Sequence, residues 1–230
     1  MISTSVTNHL KNSFRSVHSW KLTFSEDEQK QLMDPGLLRE IGQLSYIDGY
    51  FRIRQTTPLI LAAAKNLDER FDHDSSRFWI RHLEEEYGHD AVMRSDIITM
   101  IGDESRAIKL IEATSITPPS VALVGFFDWQ VRHNNPHLLI LLRLFLETFV
   151  VSLDEKQVAG INELFPTGSG TLRVHRDADQ DHVADCYAYI DQKFILNDIP
   201  TLIWILDYIA LCLRESQSWI AAHALGRRSR

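Results

Sequence analysis

The sequence predicts an all-α protein, a single domain of eight to ten helices, and three observations carry that expectation. Only 10 Gly and 7 Pro stand among 230 residues, about 7% where ordinary usage is nearer ~12%, too few breakers for a turn-rich β architecture. Apolar residues recur three and four apart over most of the chain, the period of a helix with one buried face. Capping residues then stand where each apolar run begins, and Gly or Pro near where it ends. A hydrophobic fraction of 44% with 24% charged residues is ordinary for a globular chain and excludes disorder for most of its length.

Residues 1–24 contain no acid, five Ser and the cations Lys11, Arg15 and Lys21. This is expected to be an N-terminal arm, with a weak likeness to a transit peptide; the domain proper is expected over 25–226. Ser25 and Glu28 have capping-box spacing, which predicts a short helix to about Met33. Pro35 opens the next, with Leu37, Ile41, Leu44, Ile47, Tyr50 and Phe51 on one face to Gln55. Pro58, placed as an N1 proline, opens another to Phe71. Asp74 or Ser75 caps a long helix through Arg94 to Ile101, stopped by Gly102, and Asp103 caps a short one to Ala113. Pro118–Pro119 starts a helix to His133. The run Pro136–Val151 is apolar almost all round, as a buried helix is. One more helix lies within 152–170, before a Pro-Thr-Gly-Ser-Gly loop. A polar helix from about Leu172 to Phe194 and an apolar one from Pro200 to about Leu225 complete the chain.

Charge and cysteine content bound the partners. With 24 Lys+Arg against 31 Asp+Glu, a net charge of -7, there is no basic footprint for nucleic acid apart from Arg227, Arg228 and Arg230. Ile199–Leu213 falls short of the ~20 apolar residues of a membrane span, so no membrane is expected; the segment suits a core or a homodimer face. Cys186 and Cys212 make no disulfide framework and no zinc spacing, which favours a reducing, cytoplasmic setting.

Two helices repeat one pattern. His82, Glu86 and His89, and again His175, Asp179 and His182, stand at i, i+4, i+7, within about 60° on a helix turning 100° per residue. Each set puts three metal-ligand side chains on one face. Between them, Glu147 stands alone among leucines, phenylalanines and valines, where a buried carboxylate needs a cation. That cation is either Arg143, one turn earlier, or a metal. Mixed imidazole and carboxylate ligands suit iron or manganese, with zinc as an alternative. Six to seven ligands exceed the need of one ion, so two are expected. Phe126, Phe127, Asp128 and Trp129 are expected as core, or as an aromatic pocket with an acid for an ammonium group.

These motifs resemble the heme-oxygenase-like diiron oxidases and oxygenases over about residues 75–215. The resemblance implies one heme-oxygenase-like helical bundle domain that holds two Fe2+ and uses O2 as co-substrate. By the same likeness His175, Asp179 and His182 are ligands from a late helix, Glu147 the middle ligand and the catalytic carboxylate, and His89 a ligand from the early helix. The chain departs from the family at His82, where Glu-x6-His is usual: either His82 replaces that carboxylate, which its spacing favours, or Glu86 supplies it. The implied chemistry is oxidation of a small amine or amino acid with an external electron donor, nearest to the branch that converts tryptophan-type amino acids to nitriles. The alternative is a metal-free enzyme of the same architecture, similar to thiamin-salvage hydrolases or cofactor-biosynthesis oxidases, with Cys186 or Cys212 as nucleophile.

Overall fold

A computed structural model describes residues 1–153, 155–165 and 170–228, apart from the side chains of 171–180 and 227–228. Among the described residues there is no strand; the elements are α1 (Ile2–His18), α2 (Glu26–Gln31), α3 (Pro35–Glu69), α4 (His73–Glu86), α5 (His89–Ile101), α6 (Glu104–Ala113), α7 (Pro118–His133), α8 (Leu139–Val151), α9 (Glu155–Leu164), α10 (Gly170–Lys193) and α11 (Ile199–Arg228), with short 3-10 turns between some of them. The expected caps are in place: Ser25 and Glu28 form their capping box, and Asp34, Asp103 and Thr117 accept from the first turns of α3, α6 and α7. The Pro-Thr-Gly-Ser stretch at 166–169 lies outside the described residues.

The main core is built on α8, whose residues Leu139 to Phe145 are all buried. Trp79 of α4, Phe127 of α7 and Phe145 are its largest fully buried side chains. Cys186, Tyr189 and Ile190 of α10 and Leu202, Ile205, Leu206 and Ile209 of α11 close it from the other sides.

The structure departs from the sequence expectations in four places. Residues 1–24 are no arm: α1 buries the stripe Ile2, Val6, Leu10, Phe14 and Val17 in the same core, and Phe14 meets the Phe145 ring edge-on at 5.0 Å. Hydrogen bonds to Asp191 from Ser3 and to Asp207 from His9 fix its polar side. The two helices expected on either side of Pro58 are one, α3, with Pro58 inside it. Proline forfeits one backbone hydrogen bond there, and the burial of Leu59, Ile60, Ala63 and Ala64 just beyond offsets the loss. Conversely, the long helix expected from 74 to 101 is two, α4 and α5, parted at Tyr87–Gly88. Gly88 takes φ +92, a left-handed conformation that costs glycine little and ends the helix. Finally, Leu196–Gly226 has a mean hydropathy of 1.5 in its most apolar window and is long and apolar enough to cross a membrane. Its inner face packs on α1, α7 and α8, while Trp204 and Leu211 face outward.

Candidate metal centre

Four helices converge on a polar cluster inside the bundle. α8 contributes Glu147 and Arg143, α4 its last turns with His82, Glu85 and Glu86, α5 its first residue His89, and α10 His182. Glu147 and Arg143 are buried because α8 is buried all round, so the position that reads as anomalous in the sequence is anomalous in space. The break at Gly88 turns α5 away directly after Glu86, which lets His89 come back on it: His89 Nδ1 lies 2.8 Å from Glu86 Oε2. His82 and His89 therefore do not share one helical face, as their spacing predicted. They approach Glu86 from two helices.

Glu86, Glu147 and His182 each offer a ligand atom, and these atoms lie within 4.8 Å of one another. His182 Nδ1 is 3.7 Å from Glu147 Oε1. The Glu147 carboxylate is the largest cause of a pKa for His182 raised above the ordinary histidine value, with Glu85 adding to it against burial and Arg143. His82 is only 2% exposed; its Nδ1 faces Glu85 at 3.6 Å and Glu86 at 4.0 Å. Burial first, then Arg143, His182 and His89, hold its pKa down to about 2 against the pull of Glu147, so the imidazole is neutral and one ring nitrogen has a lone pair to offer. Neither His82 Nδ1 nor Glu86 Oε1 has a hydrogen-bond partner among the described residues.

The arrangement brings together His82, His89, Glu147 and His182 from the expected set and adds Glu86 to them. His175 and Asp179 belong to α10, but their side chains lie outside the described residues. Arg143, the rival partner of Glu147, is present as well, with Nε 3.6 Å from Glu147 Oε1 and Nη2 3.3 Å from Glu85 Oε2. Glu85 is the participant that sequence reasoning missed. The signal was available: it stands at i+3 from His82 in the run Glu84-Glu85-Glu86, on the same side of the helix as Glu86.

The run Phe126–Trp129 forms no pocket at this centre. Phe127 is in the core, Phe126 packs on Trp204 and Tyr208, Trp129 is more than half exposed, and Asp128 accepts from Arg132 Nε at 2.7 Å. A groove of about 230 Å³ does run between α4 and α10 past Ser75, Phe78, Arg81, Asp185 and Tyr189, one turn along both helices from Glu85 and His182. The Phe78 ring lies under Arg81 at 5.9 Å and under Arg143 at 5.6 Å, so one side chain belongs to both groove and centre.

The architecture can now be matched to a known one. No family model matches the chain, and no curated protein does. A solved domain of unknown function from Shewanella denitrificans OS217, described as having a heme oxygenase-like fold, superposes with a TM-score of 0.65 at 12% identity, over 99% of this chain and 90% of that one. The fold is heme-oxygenase-like. In this bundle the ligand-type residues stand on helices, at the end of α4, the start of α5 and within α8 and α10. At that identity the likeness extends to the fold alone.

Proposed function

We propose that the protein is a non-heme diiron enzyme that activates O2 to oxidise a small amine or amino acid, electrons being supplied by an external donor. The observation that supports this most directly is the pair of orphaned buried atoms, His82 Nδ1 and Glu86 Oε1, beside a convergent group of carboxylates and imidazole. Leaving such an atom unsatisfied costs roughly 1–3 kcal/mol, and a pair of divalent cations would satisfy both. Glu86, Glu147 and His182 would hold one ion. His82 and His89, with His175 and Asp179, would hold the other. When bound, iron supplies the electrons that O2 takes up.

The chain's own residues do the rest. Trp79, itself fully buried, packs against the His82 ring at 5.8 Å and keeps water from that side of the centre. The α4–α10 groove of about 230 Å³ is the approach for substrate, and Glu147, a member of the convergent group, would be the catalytic carboxylate. Support for a tryptophan-type substrate is reduced by the dispersal of the Phe126–Trp129 aromatics. The thiol of the metal-free alternative is poorly suited to attack: Cys186 is fully buried and burial pushes its pKa up to about 12.

The test is anaerobic Fe(II) loading followed by metal analysis, which should give about two irons per chain, as two-metal sites require. Glu86→Gln and His182→Ala should each lower the count to one or fewer with helix content intact. A wild type that retains no iron after desalting would remove the reading altogether.

A further inference from the structure

Among the described residues the centre also contains one fixed cation. Arg143 is buried on α8, one turn before Glu147, with its guanidinium over the Phe78 ring. It stands between a carboxylate of the convergent group, Glu147 at 3.6 Å from Nε, and one outside that group, Glu85 at 3.3 Å from Nη2. Its Nε makes no hydrogen bond among the described residues. A buried arginine normally uses its planar fork in short bidentate bonds. Here a single long hydrogen bond among those residues, from Nη2 to Glu85 at 3.3 Å, and the charge of Glu147 hold it, with the Nε donor left over.

We infer that Arg143 is the internal counter-ion of the centre before metal arrives, displaced from Glu147 by the incoming ion and retained by Glu85. The inference rests on the metal reading above, and three features carry it. Glu85, Glu86 and Glu147 crowd a space that is mostly out of water, where uncompensated carboxylates repel one another and lose hydration. Arg143 is the permanent cation within reach of two of them. Glu147 is the residue that Arg143 and a metal would compete for, because Glu147 is both its i+4 neighbour and a member of the convergent group. Glu85, about one-third exposed at its side chain and outside that group, is free to keep the guanidinium as Glu147 leaves it. Arg143 therefore opposes metal binding by its charge, and Glu85 moderates that opposition.

The experiment is anaerobic Fe(II) titration against a chromophoric chelator, with thermal unfolding followed by circular dichroism with and without Fe(II). Arg143→Met keeps the bulk and removes the charge. It should tighten Fe(II) binding on the order of tenfold, since a unit charge a few ångströms from a divalent ion is removed, and should lower the melting midpoint of the metal-free protein. Glu85→Gln leaves Arg143 to Glu147 alone and should weaken Fe(II) binding, and in the double variant most of that weakening should disappear. Equal or weaker binding by Arg143→Met, with wild type binding normally, overturns the inference and leaves the metal reading intact. If Arg143→Met does not fold without metal, recovery of its helical signal on refolding with Fe(II) supports the inference. Failure to recover, or an unchanged affinity in Glu85→Gln, overturns it. A wild type that takes up no Fe(II) overturns both readings.

Discussion

The core of this bundle buries two acid-bearing clusters, and they are built to opposite rules. In the first, Asp48 of α3 faces Arg52, Ser120 and Thr117 of α7's start, and Ser216 of α11. Its two oxygens accept from Ser120 Oγ at 2.7 Å, Ser216 Oγ at 2.8 Å and the Thr117 backbone N–H at 2.9 Å, in addition to the Arg52 ion pair. Arg52 in turn donates to Ser120 Oγ at 2.7 Å, and Thr117 Oγ1 donates to Ser216 Oγ at 3.0 Å. One acid meets one base, and short hydrogen bonds fill the remaining capacity. In the second cluster three carboxylates, Glu85, Glu86 and Glu147, meet one fixed cation among the described residues, Arg143. The contacts around Arg143, His82 and His182 are 3.3–4.0 Å long, and polar atoms are left over. The difference teaches what a buried acid is for. A closed, neutral, fully bonded network ties helices together, whereas an open, acid-rich one is a site that a cation completes.

The comparison breaks most sharply if Asp48 proves dispensable. Asp48→Ala would leave Arg52 buried without its carboxylate and would strip acceptors from Thr117, Ser120 and Ser216 in one step. Breaking a buried pair from one side costs about 3–5 kcal/mol, so we expect a loss of that order in urea unfolding, with the iron stoichiometry of the folded fraction unchanged. A loss under about 1 kcal/mol would mean that the two clusters are not different in kind.

Glu147→Gln probes the other side of the contrast. It removes a charge from a group that already has too many, and its contacts with Arg143 and His182 are 3.6 and 3.7 Å long. Stability of the metal-free protein should change by less than Asp48→Ala changes it, while bound iron falls from about two per chain to one or fewer. Stability lost and iron retained would return Glu147 to the role of a salt-bridge partner for Arg143.

Much of this was legible in the sequence where one physical signal acted alone. α8 is apolar all round and is buried all round, and a solitary Glu147 within it marks the centre without any structure. By the same logic Asp48, between Ile47 and Gly49 on an apolar stripe, announces the other cluster. What the sequence obscured were conflicts between local and tertiary terms. Ile2, Val6, Leu10, Phe14 and Val17 form a helical stripe spaced by four and three, masked by surrounding Ser, Thr and Asn, whose helix propensity is low and whose cost burial of the stripe offsets. Pro58 is a sound N1 residue locally, and tertiary packing carries α3 through it. Gly88 is tolerable inside a helix, yet its positive φ sets where α4 ends. Because of that break, the i, i+7 geometry of His82 and His89 does not hold, and Glu86 and Glu85 become the acids facing the other helices. Which of several adjacent acids points inward depends on a helix end, and helix ends are where one-dimensional patterns carry least information.

The smallest expected effect sharpens the comparison at the edge of the centre. α10 carries His182 and the two ligand candidates His175 and Asp179, and its first residue, Gly170, is tied to α5 by a backbone hydrogen bond to Asp96 Oδ1 at 2.9 Å. Asp96 is itself 6% exposed, and its charge adds to the burial that pushes Tyr46 up to about 12, so it is a carboxylate held inside the protein at the start of a ligand-bearing helix. Such a group satisfies an unpaired N–H and interacts favourably with the helix dipole, together worth about 0.5–2 kcal/mol. A β-carbon at Gly170 would stand 2.8 Å from Asp96 Oδ1, which is why the contact requires glycine. Asp96→Ala should therefore cost about 1 kcal/mol in urea unfolding and weaken Fe(II) binding by less than Glu147→Gln does, with Asp96→Asn, which keeps the acceptor, recovering most of the affinity. If Asp96→Ala lowers stability and leaves Fe(II) binding at the wild-type value, the start of α10 is anchored independently of the centre, and the ligand face of α10 is set by its packing on the neighbouring helices, α8 foremost.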